Sequence, residues 1–348
     1  MNNKFLHLKN MRIIAIILFI GLMVYSCSDL SNLASSKLSY ANISVPEEGG
    51  INFVKITEDA DAVAVYSITS PRKLSALTSA SNFSWWVNPI IAISPDGKRI
   101  AYINNKNSMM NIMEKSATSG GLSVQRTFRN MVTDFSWTPD GKKFCFTEYR
   151  NKHFGTYLID AEQSSVVRQI SSGSTDDFAP VMSSDGKHIY FHRSEGGYIY
   201  SLWSFDIDKN LFSNYSRGMT PCLIPGKNNL IYCTRYTEKR EIEIWKVNTE
   251  NGVEEILLSQ PDKSFSTPKL SPDGQWILCT GTSITPGKIQ NTDIFVVRVD
   301  GTGFTQLTYH SGNDLSAIWS PDGKSIFFAS QRGSQNGAYN IWKMDFNL

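Results

Sequence analysis

The sequence predicts an all-β chain folded as a β-propeller of seven four-stranded antiparallel blades, with six blades as the alternative, and three observations lead there. A turn phrase of the form apolar-x-Ser-Pro-Asp-Gly-Lys recurs along the 348 residues, centred on Asp96, Asp140, Asp185, Asp273 and Asp322. A second, aromatic-rich phrase follows each turn, and the spacing of the turns is 44, 45, 88 and 49 residues, so one long gap is a doubled period. Four short strands per unit at a period near 45 are what a propeller requires. Composition agrees: 41% hydrophobic and 19% charged residues with a net charge of +2 are ordinary globular values, which excludes collagen, long disordered tails and multispan membrane proteins. A near-neutral body carries no electrostatic footprint for nucleic acid, and no nucleic-acid partner is expected.

The chain opens with a leader. Lys4, Lys9 and Arg12 precede an apolar run from Ile13 to Tyr25, thirteen residues long, where a bilayer span needs about 20. Residues 1–26 therefore read as a signal peptide. Its end, Val24-Tyr25-Ser26-Cys27, resembles the bacterial lipobox, which implies that Cys27 is diacylated and becomes the new N-terminus. The alternative is a secreted chain cut near Ser26, with Cys27 incidental. The expected organisation is a signal peptide (1–26), a lipid-anchored N-terminus and closing strand (27–36) and the propeller (37–348). The expected location is the bacterial cell envelope, lipid-anchored, on the outer membrane's periplasmic or surface side.

Each element of a unit has a local reason. In Ser-Pro-Asp-Gly, proline presets φ at the second turn position, aspartate suits the third, and glycine takes the left-handed conformation that completes a tight hairpin turn. The flanks alternate as strands do, for example Ile100 and Tyr102 or Phe144 and Phe146. The long gap is filled by a degenerate turn, Pro225-Gly226-Lys227, and another lies upstream at Pro46-Glu47-Glu48-Gly49-Gly50 before Ile51-Asn52-Phe53, making seven units. Third strands follow at Leu202-Trp203-Ser204-Phe205-Asp206, Ile244-Trp245-Lys246-Val247-Asn248 and Ile341-Trp342-Lys343-Met344-Asp345, and a short fourth strand at Phe304-Thr305-Gln306-Leu307-Thr308. The last unit lacks a fourth strand, and Leu30 to Ser35 is expected to supply it, unless those residues are only a tether.

The block from Asp293 to Thr308 followed by Ser320-Pro321-Asp322-Gly323-Lys324 resembles the repeat of TolB-type, or WD-like, propellers. Related repeats occur in the propellers of prolyl-oligopeptidase-family enzymes and oligogalacturonate lyases. The resemblance implies the fold and does not name an activity. TolB proper carries an α/β domain ahead of its propeller, and the peptidases carry a hydrolase domain with a Gly-x-Ser-x-Gly elbow. Neither pattern occurs here, so a Tol-system role and peptidase activity are not expected.

Residues that break the repeat are the candidates for function. Trp85 and Trp86 fall in a long connection, where paired aromatics suit a sugar or a protein partner, or else cap a blade edge. The remaining tryptophans hold repeat positions and read as packing between blades. Connections at the mouth of the central channel carry His153, Asp177, Arg193, Arg235, His310 and Asp314. Asp177 and Asp314 each lie eight residues before the aspartate of the next turn, which also suits a structural role of bonding loop backbone. Were His153, His192 and His310 to converge there, a metal-dependent lyase would come into view, but no ligand spacing supports it, and neither metal nor cofactor is expected. Cys222 and Cys233 flank the degenerate turn, and a register matching Ile91 opposite Tyr102 would allow a cross-strand disulfide. The expectation is thus an envelope scaffold that binds a protein or glycan, with a carbohydrate-active lyase or hydrolase as the alternative.

Overall fold

The computed structural model describes residues 53–57, 66–67, 86–87, 90–106, 109–129, 131–163, 167–171, 175–196, 198–283, 291–333 and 338–346. Six four-stranded antiparallel sheets form six blades. In chain order the innermost strands are Ile91–Ile93, Val132–Trp137, Asp176–Met182, Met219–Ile224, Lys263–Leu270 and Asp314–Trp319. In blades one to five the chain then steps outward through second, third and outer strands, as in Asp176–Met182, His188–Ser194, Tyr200–Asp206 and Leu211–Arg217 of blade three.

The recurring phrase is the hairpin between the first two strands of a blade. Gly97, Gly141, Gly186, Gly274 and Gly323 all have φ between 67° and 73°, the left-handed region that the phrase demands of its glycine. The serine or threonine adds a bond that the repeat alone does not announce. Ser320 Oγ donates to Asp322 Oδ1 at 2.6 Å, and the same oxygen accepts from the Ser325 N–H at 2.9 Å. Lys324 N–H donates to the same carboxylate at 3.1 Å. The hydroxyl bond holds each of the five turn carboxyls below its usual range.

The apolar core is divided among the six seams between blades. Phe144, Phe146 and Tyr157 meet Ile103 and Ile112 between blades two and one. Ile318, Phe327 and Ile341 of blade six pack on Ile91, Ile100 and Tyr102 of blade one. Two tryptophans expected to pack between blades do so: Trp137 Nε1–H donates to Ala92 O at 3.4 Å, and Trp319 Nε1–H to Lys269 O at 3.0 Å, each reaching the innermost strand of the preceding blade.

Among the described residues the blade count is six, not seven, and the reason is the closing strand. Phe53–Lys55 runs antiparallel to Asn340–Asp345, with Phe53 opposite Met344, as the outer strand of blade six. Phe53, expected with Ile51 and Asn52 on a blade's second strand, is instead the first residue of the ring's closing strand. An N-terminal strand does complete the last blade, but it is Phe53–Lys55 rather than Leu30 to Ser35, which lies outside the described residues. Closure continues past the strand. Ile56 N–H donates to Ile341 O at 2.8 Å, Ile341 N–H to Thr57 Oγ1 at 2.9 Å, and Lys115 Nζ of blade one to Ile56 O at 2.6 Å. Tying first to last covers an edge that would otherwise be open to pairing.

Candidate functional site

Most of the expected mouth residues are internal ties. Asp177 is fully buried and accepts two bonds from Arg193, at 2.7 Å from Nε and 3.0 Å from Nη2. The Arg193 guanidinium also lies 4.3 Å from the Trp203 ring centre. Asp314 takes a 2.7 Å bond from Arg332 Nη2, with both side chains inaccessible, and Arg332 sits 4.1 Å over Phe53. Where the sequence suggested bonds to loop backbone, each of the two aspartates bonds an arginine side chain, Arg193 on the neighbouring strand and Arg332 just beyond one. Arg235 links blades three and four: it donates to Arg217 O at 2.9 Å, to Ser216 Oγ at 2.9 Å and to Glu254 Oε2 at 2.6 Å, over the Trp245 ring. His310 is buried, its Nδ1 accepting from Gly312 N–H at 3.0 Å, and burial pushes its pKa down. His153 is half-buried, 3.4 Å from Asp176.

Trp85 lies outside the described residues. Trp86 forms with Val87 a two-residue strand antiparallel to Tyr66–Ser67, so part of the expected loop is paired backbone. The three histidines keep separate partners, and among the described residues no three His, Cys, Asp or Glu are placed to share a metal ion. The Cys222–Cys233 disulfide is contradicted. Cys222 faces Tyr232, not Cys233, because the Pro225-Gly226 turn closes with Ile224 opposite Lys227 and a register shift follows. Cys222 then packs at the seam with blade five and Cys233 at the seam with blade three, both as free thiols. Burial pushes the Cys233 thiol up to about 12.

What the ring does assemble at its mouth is a run of aromatic side chains. Tyr149, Phe154, Phe178, His192, Tyr200, Tyr236 and Tyr198 follow one another at centroid separations of 4.8, 4.9, 5.5, 5.5, 6.4 and 5.7 Å across blades two, three and four. They come from strand ends and from the hairpins between second and third strands, all at one end of the blades. Nothing in the linear pattern marks them, since each is a single ring within a strand or its connection. The available signal is that blades two, three and four all place aromatics there, at Tyr149, Phe154, Tyr200 and Tyr236.

The run borders the central channel, a cavity of about 770 Å³ lined by all six innermost strands. Its wall has a repeated backbone feature: Ala179, Thr220, Thr267 and Ser316, one per innermost strand of blades three to six, have φ of 49°, 46°, 51° and 53° at a register shift. Left-handed φ is costly for β-branched threonine, and here it turns hydroxyls toward the second strand. Thr220 pairs with Thr234 at 2.8 Å and Thr267 with Thr280 at 2.9 Å, while the buried Ser316 Oγ has no partner among the described residues. Asp134 lines the same wall, held by Thr133 Oγ1 at 3.2 Å and by the Ala179 N–H, and desolvation raises its pKa to about 6. His192, stacked on Phe178 and edge to face with Tyr200, is pushed down to about 3 by burial and is therefore neutral near pH 7. Its Nδ1 accepts from Thr220 N–H at 3.3 Å, which places the ring hydrogen on Nε2.

Comparison with known proteins agrees with this architecture. Over 140 residues the chain is 28% identical to an uncharacterized protein of Agrobacterium fabrum, covering 40% of this chain and 45% of that one. It thus spans less than half the length of this curated relative. Among solved structures it is similar to TolB from Acinetobacter baumannii, with 20% identity, a TM-score of 0.58, and coverage of 72% of this chain and 64% of that one. It is also similar to oligogalacturonate lyase from Vibrio parahaemolyticus, with 12% identity, a TM-score of 0.51, and coverage of 85% and 97%. At such identities the likeness is one of fold. The model of the TolB β-propeller domain matches residues 83–283 and 200–347, well over half of the sequence, and the chain belongs to that family.

Proposed function

We propose that this chain is a lipid-anchored envelope protein whose propeller is a binding scaffold, with the channel mouth on blades two to four as the surface that meets an envelope protein or glycan. The observation that carries this reading is the aromatic run opening onto the channel. Apolar rings gathered beside a cavity on rigid strands are a common form of binding site. The scaffold around them is held by buried ion pairs, so its charged mouth residues support the site rather than contact a ligand. The leader supports the anchor, since acyl chains on Cys27 would add about 0.8 kcal/mol of membrane affinity per buried CH₂. Tethered wild-type protein should capture its partner from solubilised native envelope, and Tyr236→Ala should abolish the capture. In the same cells Cys27→Ser should move the protein out of the membrane fraction. Capture untouched by Tyr236→Ala would remove the mouth from the account, and unchanged membrane partitioning would remove the anchor.

A further inference from the structure

We propose that Tyr198, Tyr200 and Tyr236, with His192 behind them, form a subsite for an uncharged sugar ring of a glycan chain, which deepens the binding reading above and rests on it. Tyr198 stands in the connection between the second and third strands of blade three, Tyr200 opens the third strand, and Tyr236 closes the second strand of blade four. Tyr198 and Tyr236 are 60% and 36% exposed, in a molecule that buries most of its large rings. The Tyr198 and Tyr236 rings meet edge to face at 77°, and Tyr200 and Tyr236 at 36°, so the three present a cleft with ring faces in more than one plane.

The polar groups in that cleft are neutral donors and acceptors. The three phenol oxygens have no hydrogen-bond partner among the described residues. Burial and then the neighbouring tyrosines push Tyr200 up to about 12 and raise Tyr236 also, so these two hydroxyls keep their protons. His192 is only 8% exposed and lines the cavity, and its Nε2–H has no partner among the described residues. That donor opens onto the cavity, where a ligand oxygen can take the place of solvent. The charges beside the cleft cancel: Arg240 stacks 4.8 Å over Tyr198, and its turn reads Glu238-Lys239-Arg240-Glu241. Flat C–H faces ringed by hydroxyls, without formal charge, describe a pyranose. A proline-rich peptide also favours aromatic grooves, but it offers one carbonyl acceptor per residue and no donor for the tyrosine oxygens.

The test is calorimetric titration of the purified full-length chain with cellohexaose, chitohexaose and mannohexaose, and with a decaproline peptide as the competing chemistry. At least one hexasaccharide should bind. Tyr198→Ala and Tyr236→Ala should each weaken it about tenfold or more, and Tyr236→Phe, which keeps the ring, by less. Tyr198→Ala removes an exposed side chain, so its melting temperature should match wild type and a folding defect cannot explain its loss. No binding by any hexasaccharide, binding of decaproline in their place, or sugar binding that both alanine variants keep would each overturn the inference. If the hexasaccharides fail while envelope capture still depends on Tyr236, the glycan assignment falls and the scaffold reading stands. If capture too is indifferent to Tyr236, both fall.

Discussion

Blades five and six meet differently from blades three and four. The first seam buries ten apolar residues, Trp276, Leu278, Trp319 and Phe328 among them. At the second, the buried apolar cluster is Leu202, Cys233 and Val247, with Trp245 packed against it. The difference is made up by polar ties, as Arg235 of blade four reaches the backbone of Arg217 and the side chain of Ser216 in blade three while holding Glu254. A close approach goes with this: a Cβ on Gly218, at the entry to blade four, would come within 2.9 Å of Cys233 Sγ. One seam is therefore a hydrophobic joint. The other is a directional one, and it lies directly beneath the tyrosine cluster. A directional joint fixes the relative placement of Tyr200 and Tyr236, which come from the two blades it joins, without filling the mouth with aliphatic side chains.

The largest effects should come from the hydrophobic seam. Phe328→Ala should destabilise the ring by about 3–5 kcal/mol, and Val247→Ala at the other seam by distinctly less. Equal losses in denaturant unfolding would mean that the two seams carry similar loads. Breaking the buried Asp314–Arg332 pair through Asp314→Asn should cost about 3–5 kcal/mol, because a buried charge-assisted bond is lost. Joint replacement as Asp314→Leu with Arg332→Met should recover much of that. Arg235→Ala, at a partly solvated tie, should cost about 1–2 kcal/mol. A larger loss there than at Asp314 would reverse the comparison.

A smaller effect, visible in the pH dependence, should come from His192. Its folded pKa lies near 3, whereas an unfolded histidine titrates near 6.5. Between those values the unfolded state binds more protons, so stability falls as the pH drops. The contribution should reach about 2–3 kcal/mol by pH 4.5. Asp134 acts in the opposite sense between about 6 and 3.8, because its raised pKa lets the folded state take up the proton first. His192→Gln should therefore lose less stability than wild type between pH 7 and pH 4.5. Parallel curves would show that His192 titrates in the fold as it does in the open chain.

The turns were legible because their chemistry is local: proline, aspartate and glycine each satisfy a condition within four residues. The closing strand was not, because Phe53 follows a glycine-containing phrase that reads as a turn and alternates as a second strand would. Only its distant partner Met344 decides which blade owns it. The cysteine register failed for a related reason, since a register shift beside Pro225-Gly226 leaves no mark in the spacing. At the candidate site the charged residues were visible and the aromatic ones were not. Charge stands out on an expected loop, yet here it is consumed by partners 16 to 19 residues away in Arg193–Asp177, Arg332–Asp314 and Arg235–Glu254. The tyrosines look like ordinary strand ends until blade three is set beside blade four.

The claim that the mouth on blades three and four is the binding surface can be tested by a photo-crosslinking amino acid placed at Tyr198 or, on the outer strand of blade three, at Leu211. Both positions are exposed, 60% and 56%, so access to solvent does not distinguish them. Irradiation of cells carrying the full-length chain should yield a discrete adduct, protein or glycan, from position 198 and none from position 211. An adduct from 211 alone, or adducts of equal yield from both, would place recognition on the outer rim of the ring and contradict the account.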